Sequence, residues 1–385
     1  ARFRCRATPL RRTARLSDHA AWNTALADWI ATDDTLASFL DAAPASFGLD
    51  TEFMRIDTYA PRLALVQLGL GADIGLVDPL GVADPAPLAR LLGDSARTCV
   101  MHSAGEDLQA LATWSCSIAH LFDTQIAASF AGLGAGLGYQ KLVQALTGVE
   151  LPKGQTRSDW LRRPLSPAQL DYAAQDVVHL PQLHAELAAR VDRRGFSAWL
   201  AEDCQRLLDA ARDSGPDPEP QTAFRGAADW PRERQALLRR LLLWREATAR
   251  AINRPRPWLL DDAHVLDLAA RPPRDAHELT ERTRGQRALR SAQRNQLLDA
   301  LKTPLRDDEL EFHAIPPAPD ARDKQVIAAM KQVVAARAAE LDLPEGLLCS
   351  RRHLERLLAT GRWPAALEGW RRDLLHERLI ALLPD

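Results

Sequence analysis

The segment Gly48-Leu-Asp-Thr-Glu-Phe-Met-Arg55, GLDTEFMR, places two carboxylates one residue apart within an apolar run. Because side chains alternate between the two faces of a β-strand, Asp50 and Glu52 are predicted to share one face. The opposite face then takes the neighbouring side chains Leu49, Thr51 and Phe53. Two like charges on one face of a buried strand destabilise it. A strand that keeps both acids therefore needs a compensating interaction.

The composition is that of an ordinary globular protein. Of 385 residues, 46% are hydrophobic and 26% are charged, with a net charge of −2 at pH 7. This length suffices for about two or three domains. Acidic residues outnumber basic ones in 1–220, whereas basic residues outnumber acidic ones in 221–312. The net charge points to no class of partner, but its distribution joins an acidic first half to a mildly basic second part.

Three features of the sequence bear on the cellular location of the protein. The five cysteines are scattered and never in CxxC spacing, which argues against a disulfide framework or a zinc site and fits a reducing cytoplasm. The longest uncharged run, 124–140, contains four glycines and is too polar to span a bilayer. Residues 1–16 carry six arginines and no acid, which we interpret as a disordered arm or an expression remnant rather than a transit peptide. We expect a cytoplasmic protein that does not contact membranes.

Two proline-rich segments, SGPDPEP at 214–220 and IPPAPD at 315–320, are predicted linkers because stacked prolines prevent helix continuation. The predicted parts are an arginine-rich arm at 1–16, a first domain at 17–213, a linker at 214–224, a helical module at 225–312, a linker at 313–322 and a second helical module at 323–385.

The first domain alternates between strand-like and helix-like patterns. Strands are predicted at 46–54, 62–70, 73–78, 98–103 and 119–123, and helices at 84–93, 105–114, 139–147, 166–175 and 176–191. The first three strands follow one another closely, which favours antiparallel pairing, whereas the later ones are separated by helices and suit parallel pairing. The predicted fold class is α/β, with a mixed sheet flanked by helices.

After residue 221 the pattern is entirely helical. WLLDDAHVLDLA at 258–269 aligns with GLLCSRRHLERLLA at 346–359, and each copy follows a long helix and a short proline-containing turn. The leucines that this alignment superposes are Leu259 with Leu347, Leu260 with Leu348 and Leu266 with Leu354. We therefore predict two small all-α modules of one design.

Two more acidic motifs lie in the first domain. Asp107, in VMHSAGEDLQAL, follows a predicted strand at the start of an amphipathic helix. Tyr172 and Asp176, in LDYAAQDVVHL, are four residues apart and so share one face of a helix. Each signal is weak alone, because an acid in a first helical turn often only compensates the helix dipole. Together with Asp50 and Glu52 they supply four carboxylates and a phenol.

Such oxygen ligands suit hard divalent ions, Mg²⁺ or Mn²⁺. Two ions about 4 Å apart can hold the attacking and leaving oxygens of a phosphoryl transfer. Bound cations would also neutralise the repulsion between Asp50 and Glu52. The sequence therefore predicts a divalent-metal site of the kind that can support phosphoryl transfer.

The order and spacing of these motifs resemble the DEDD family of 3′→5′ exonucleases, on a ribonuclease H-like fold. Tyr172 lies four residues before Asp176, and position 171 is Asp rather than the His of the other subtype, so the chain resembles the tyrosine subtype. LDTEFMR…YAPRLALVQL, FDTQIAA and LPKGQTRSDWLRRPLSPAQLDYAAQDVVHL resemble the bacterial ribonuclease D family. The two helical modules resemble HRDC domains. The resemblance runs from about residue 17 to the C-terminus.

The resemblance implies a role for each site residue. Asp50, Glu52 and Asp176 would hold one metal ion, and Asp50 would bridge to a second ion that Asp107 supports. Tyr172 would orient the water that attacks the terminal phosphodiester, since a phenol with a pKa of about 10 stays protonated at pH 7. The implied products are nucleoside 5′-monophosphates, released one at a time from a 3′ end.

RNA-binding residues are predicted less sharply. The family uses groups beside the DxE motif to wedge terminal bases, which makes Thr51 and Phe53 candidates, although Phe53 also suits a core position. Lys153, Arg157, Arg162 and Arg163 lie just before the third motif and could grip phosphates or line a solvated loop. Five further arginines occur with no acid among them and could form a phosphate-binding face or a solvated one: Arg282, Arg284, Arg287, Arg290 and Arg294.

The expected substrate is RNA with a single-stranded 3′ end, and the resemblance implies that the second module closes a ring or funnel that favours structured RNA such as tRNA precursors. No obligate protein partner is evident. Two alternatives stay open: a DNA-directed exonuclease of the same family, and an RNA-binding scaffold that has lost activity.

Overall fold

A six-stranded mixed sheet forms the centre of the first domain. The computed structural model describes residues 27–152, 158–213 and 215–384. The strands are β1 (Ala27–Ile30), β2 (Ser46–Met54), β3 (Arg62–Leu70), β4 (Asp73–Val77), β5 (Thr98–Met101) and β6 (Leu121–Asp123). Their order is β1-β4-β3-β2-β5-β6, with β2, β3 and β4 antiparallel and the other neighbours parallel. The predicted pairing is thereby confirmed, and the edge strand β1 is an addition that the sequence did not predict.

Within the described part of the first domain, eight helices surround this sheet. They are α1 (Asp33–Leu40), α2 (Ala86–Gly93), α3 (Gly105–Ala112), α4 (Thr124–Phe130), α5 (Tyr139–Thr147), α6 (Pro167–Val178), α7 (Leu180–Arg193) and α8 (Ser197–Arg212). Helix α6 starts at a capping box in which the Ser166 and Gln169 side chains bond reciprocally to the backbone. It extends to Val178, so Tyr172 and Asp176 lie on the same helix. The predicted boundary between two helices, at 175 and 176, is therefore three residues too early.

A pair of glycines lets α6 approach the sheet closely. Gly48 of β2 pairs with Gly69 of β3. A Cβ atom added at Gly69 would lie 3.0 Å from the carbonyl oxygen of Val177, and one at Gly48 would lie 3.2 Å from the same atom. Larger residues would push the end of α6 outward. The glycine of GLDTEFMR therefore helps to set the distance between the two acids of β2 and Asp176.

The remainder of the described chain is helical. The first module contains α9 (Arg232–Ala251), α10 (Arg256–Leu259), α11 (Asp262–Ala270), α12 (Ala276–Arg282) and α13 (Ser291–Lys302). The second contains α14 (Ala321–Leu341), α15 (Glu345–Leu348), α16 (Arg351–Thr360) and α17 (Trp370–Ile380). Short 3₁₀ turns occur at Pro220–Ala223, Arg225–Ala227, Asp307–Leu310 and Ala365–Leu367. No helix in the described ranges is long and apolar enough to cross a membrane.

The two modules share one design, but the predicted alignment is wrong by one residue. Asn253 and Asp342 both adopt left-handed backbone after the long helix of their module, and the helix N-caps Asp261 and Ser350 also correspond. In this register Leu259 matches the fully buried Leu348 rather than the half-exposed Leu347. The leucine-rich composition allowed either alignment, and burial distinguishes them.

The second module is packed directly onto the first domain. Its buried side chains, including Trp370 of α17, belong to the same hydrophobic core as the sheet, whereas the first module has a core of its own. Asp203 of α8, which is 7% exposed, accepts hydrogen bonds from Trp370 Nε1 at 3.1 Å and from both Nη atoms of Arg371 at 2.5 and 2.7 Å. This bidentate pair fixes the second module to α8.

We expect Asp203→Ala to lower the free energy of unfolding by about 3–5 kcal/mol, because it leaves the Arg371 guanidinium buried without its counter-ion. Urea unfolding of the full chain measures this. Asp209→Ala removes an exposed carboxylate from the same helix and should change stability by less than about 0.5 kcal/mol. Equal effects from the two substitutions would contradict the assignment.

The first module contacts the loop between β2 and β3. Asn253 Oδ1 accepts hydrogen bonds from the backbone N–H groups of Tyr59 and Ala60, both at 3.0 Å, and the Tyr59 hydroxyl donates to Glu246. Arg225, just before α9, pairs with Glu355 of the second module. The first domain and the two modules therefore contact one another in all three pairs.

Candidate active site

Three carboxylates converge where β2 passes beneath α6. Asp50 and Glu52 extend from β2 and Asp176 from α6, and each offers an oxygen within 4.8 Å of those of the other two. All three side chains are half-buried. Carboxylate oxygens in such a group are suitable ligands for a hard divalent cation. The structure thus brings together three of the four predicted metal ligands.

Asp107 lies beside this group but outside it. It occupies the first turn of α3 and is 8% exposed, and its Oδ1 accepts a hydrogen bond of 2.5 Å from the Thr51 hydroxyl. The start of α3 is held by Asp123, whose Oδ2 accepts from the backbone N–H of Ala104 at 2.9 Å. Asp107 is therefore fixed from two sides, by a strand residue and by the N-cap residue of α4.

Thr51, a predicted RNA contact, bonds to Asp107 instead. Strand alternation places it on the face opposite Asp50 and Glu52, as expected. The Asp107 carboxylate reaches that face and accepts a hydrogen bond from the Thr51 hydroxyl. Thr51 is 6% exposed, which hides the side chain from substrate. A sequence pattern cannot show this bond, because Thr51 and Asp107 come from separate elements.

Burial and mutual repulsion disfavour the ionised forms of these four carboxylates. Burial raises the pKa of Asp50 well above its usual value, and the charges of Asp107, Asp176 and Glu52 raise it further. Burial and the charges of Asp176 and Asp107 raise the pKa of Glu52 to about 8. Burial also raises the pKa of Asp176 to about 7 and that of Asp107 to about 6. Bound divalent cations would reverse this, because they stabilise the ionised forms.

These shifts predict how the stability of the metal-free protein depends on pH. A carboxyl group whose pKa is higher in the folded state favours folding while it is protonated, and that contribution is lost as the pH rises from about 4.5 through about 8. Glu52→Gln should therefore raise the unfolding temperature in chelator at pH 8 by about 2–6 °C, with a smaller gain at pH 6. Differential scanning fluorimetry measures this.

Glu106→Gln is the matched control, since Glu106 is an exposed acid in the first turn of α3. It should leave the unfolding temperature within about 1 °C at both pH values. If Glu52→Gln lowered the unfolding temperature at pH 8, the side chain would be a stabilising residue rather than one retained for a ligand.

Tyr172 projects from α6 beside Asp176. Burial, followed by the negative charges of Asp176, Glu52 and Asp50, raises the pKa of this phenol, so it stays protonated at neutral pH. Its ring lies 6.0 Å, between centroids, from the ring of the buried Trp160. The phenol is therefore a hydrogen-bond donor held against a rigid aromatic surface.

Arg163 fixes the segment that carries Trp160. Its guanidinium donates to both carboxylate oxygens of Asp78, at 2.9 and 2.6 Å, and to the backbone carbonyls of Ala64 and Trp160, at 2.7 Å each. The interpretation of Arg163 as a phosphate-gripping residue is corrected, because its donors are used inside the domain. Of the other basic candidates of this segment, Arg162 is exposed and its contact with phosphate stays a prediction, whereas Lys153 and Arg157 lie outside the described residues.

The five arginines of the first module divide into two groups. Arg282 is paired with Asp267 and Glu278, and Arg284 with Glu281, so the acids missing from the run itself come from neighbouring turns. Arg287 stacks on Trp258 with its guanidinium 5.2 Å from the ring centroid. Among the described residues no salt bridge involves Arg287, Arg290 or Arg294, which makes these three the better candidates for phosphate binding. Phe53 is partly buried against the core, and its contact with RNA stays a prediction.

Three known protein families match successive parts of the chain. Residues 27–192 match the 3′-5′ exonuclease family, 234–301 the HRDC domain and 322–379 the C-terminal HRDC domain of ribonuclease D. The chain is 46% identical to ribonuclease D of Xanthomonas oryzae over 366 residues, covering 92% of this chain and 98% of that protein. It is 32% identical to ribonuclease D of Escherichia coli, with 92% and 98% covered.

Among solved structures, the crystal structure of Escherichia coli RNase D, described as an exoribonuclease involved in structured RNA processing, is similar to this chain. The TM-score is 0.77 at 28% identity, and the match covers 92% of this chain and 98% of that one. The similarity includes the exonuclease domain and both helical modules.

Proposed function

This chain belongs to the bacterial ribonuclease D family and is a 3′→5′ exoribonuclease, and we propose that it removes 3′-terminal nucleotides one at a time as 5′-monophosphates at the Asp50, Glu52 and Asp176 cluster. The observation that supports this most directly is the convergence of these three carboxylates within 4.8 Å, with Asp107 and Tyr172 beside them.

The donor set fits divalent cations. Burial and mutual repulsion raise the pKa values of the four carboxylates, and a bound cation would offset that repulsion. Within the described cluster no lysine or arginine offsets it. We propose two ions, Mg²⁺ or Mn²⁺, one held by Asp50, Glu52 and Asp176 and the second by Asp50 with Asp107. When bound, such ions lower the pKa of water and neutralise charge that develops on the phosphodiester.

The side chains have separate tasks in this proposal. Thr51 holds one oxygen of Asp107 through its hydroxyl, which leaves the other oxygen for a cation. The Tyr172 phenol, protonated and supported by Trp160, donates a hydrogen bond that orients the attacking water in line with the scissile bond. Because the phenol keeps its proton, it serves as a positioning donor rather than as the base.

The proposed substrate is structured RNA with a short single-stranded 3′ tail, such as a tRNA precursor. The exposed Arg287 and Arg290 of the first module, with the half-buried Arg294, would contribute sequence-independent phosphate contacts.

The test is to incubate the full chain with a 3′-extended tRNA precursor, with Mg²⁺ or with chelator, and to identify the products by chromatography. We expect nucleoside 5′-monophosphates in Mg²⁺ and none in chelator. A ladder of internal fragments would contradict the exonuclease mechanism. A 3′-recessed DNA duplex runs in parallel, and faster release from DNA than from the precursor would reassign the substrate.

A further inference from the structure

Gln67 is a buried polar residue whose hydrogen-bonding groups have no partner in the protein. It lies in the middle of β3, and its side chain is 0% exposed. Neither Nε2 nor Oε1 has a hydrogen-bond partner among the residues that the structure describes. Buried amides are nearly always hydrogen-bonded, and an unpaired one lowers stability. An apolar residue of similar size would be less costly at this position.

The strand register places Gln67 directly beside the catalytic cluster. Gln67 is the antiparallel partner of Asp50. Side chains of directly paired residues project from the same face, with Cβ atoms about 4.5–5.5 Å apart. Gln67 and Asp50 are therefore immediate neighbours across the two central strands of the sheet.

The same face is covered by α6, which carries Asp176 and Tyr172. The helix lies so close to Gly69, two residues from Gln67 on β3, and to Gly48 on β2 that a Cβ atom added at either glycine would crowd the Val177 carbonyl. Gln67 thus lies under α6 and next to the carboxylate that the proposed mechanism assigns to both ions. Its unpaired amide adjoins the site rather than a distant part of the core.

We propose that Gln67 is a positioning residue for Asp50: its side-chain amide donates a hydrogen bond to the Asp50 carboxylate, directly or through one buried water, when that carboxylate holds a divalent cation. This inference rests on the metal site proposed above. A carboxylate that would hold a divalent cation must be kept in one orientation, and neighbouring hydrogen-bond donors commonly provide that constraint.

The first test is the direct binding of Mn²⁺ to the full chain, measured from the free-ion signal in electron paramagnetic resonance. Gln67→Met keeps the length of the side chain and removes both polar atoms. We expect Mn²⁺ affinity to fall by about tenfold, with an unfolding temperature in chelator that is unchanged or higher. Turnover of 3′-extended RNA at saturating Mn²⁺ should fall by about tenfold, while KM for the RNA stays within about twofold.

Leu65→Met is the matched control. Leu65 lies on the same strand and face, is equally buried and is paired with Glu52 instead of Asp50. It should change Mn²⁺ affinity by less than about twofold, since it alters packing and removes no polar group. Gln67→Leu repeats the measurement with a second apolar side chain, in case the methionine variant does not fold.

The results separate this inference from the proposed function. Wild-type protein that binds no Mn²⁺ would overturn the metal site itself, and the role of Gln67 with it. Wild-type binding with unchanged affinity in Gln67→Met would overturn only the role of Gln67 and make it a core residue. Equal losses in Gln67→Met and Leu65→Met would also overturn it, because packing would then explain both.

Discussion

Asp50→Asn is expected to reduce the turnover of 3′-extended RNA by about 10³–10⁴-fold while leaving RNA affinity within about threefold. Asp50 is the carboxylate that faces the charges of Glu52, Asp107 and Asp176 together, so it is placed to contact both proposed ions. An amide cannot supply the negative charge, and the loss of about 4–6 kcal/mol of transition-state stabilisation corresponds to this fall in rate. Single-turnover kinetics in Mg²⁺ measures the rate, and fluorescence anisotropy in chelator measures the affinity.

Asp171→Asn provides the control for this substitution. Asp171 is an acid on α6, five residues before Asp176, and it does not belong to the cluster of three. Its variant should turn over RNA within about twofold of the wild type. If Asp50→Asn degraded RNA at the wild-type rate, the assignment of the active site would be wrong. An equal loss in both variants would point to a general effect of net charge on RNA binding.

The second large effect is expected for Tyr172→Phe, which should lower kcat by about 10²-fold without weakening Mn²⁺ binding. The three carboxylates within 4.8 Å are unchanged in this variant, so only the hydrogen-bond donor beside Asp176 is lost. Because burial and the neighbouring acids raise the pKa of Tyr172, the wild-type rate should not decline between pH 8 and about 10 through loss of this proton. A pH–rate profile under single-turnover conditions measures both points.

Tyr139→Phe distinguishes the role of Tyr172 from a general need for a phenol near the site. Tyr139 is a second tyrosine close to Asp176, but its hydroxyl donates to the backbone carbonyl of Gln175 at 3.0 Å. Its removal should lower stability by about 1 kcal/mol and change kcat by less than about threefold. Wild-type turnover in Tyr172→Phe would show that the water is oriented by another group.

Much of the first domain could be predicted from local sequence. The boundaries of β2, β3 and α5 match the prediction residue for residue, because alternation and helical periodicity are properties of neighbouring residues. The mixed sheet followed from the short connections between β2, β3 and β4 and the helices that separate the later strands. The candidate site residues could be predicted in the same way, since D-x-E on a strand and Y-x-x-x-D on a helix each place two groups on one face.

Other features depend on contacts between distant parts of the chain. The four-residue strand β1 has two exposed residues in its centre and exists through its parallel pairing with β4. Arg282 and Arg284 form a basic run in the sequence, yet acids from adjacent turns pair with them. The second helical module resembles an independent domain in the sequence, but its core is continuous with that of the first domain.

The sequence by itself determined which groups are the candidates for the proposed chemistry: four carboxylates and a phenol, on elements whose periodicity orients them. Only the tertiary structure decided how these groups are held. The bond from Thr51 to Asp107, the Gly48–Gly69 pair that admits α6, and the unpaired amide of Gln67 beside Asp50 all join residues from separate elements. The physical reason is that local propensity acts over a few residues, whereas the position of a ligand depends on register and packing across the whole sheet.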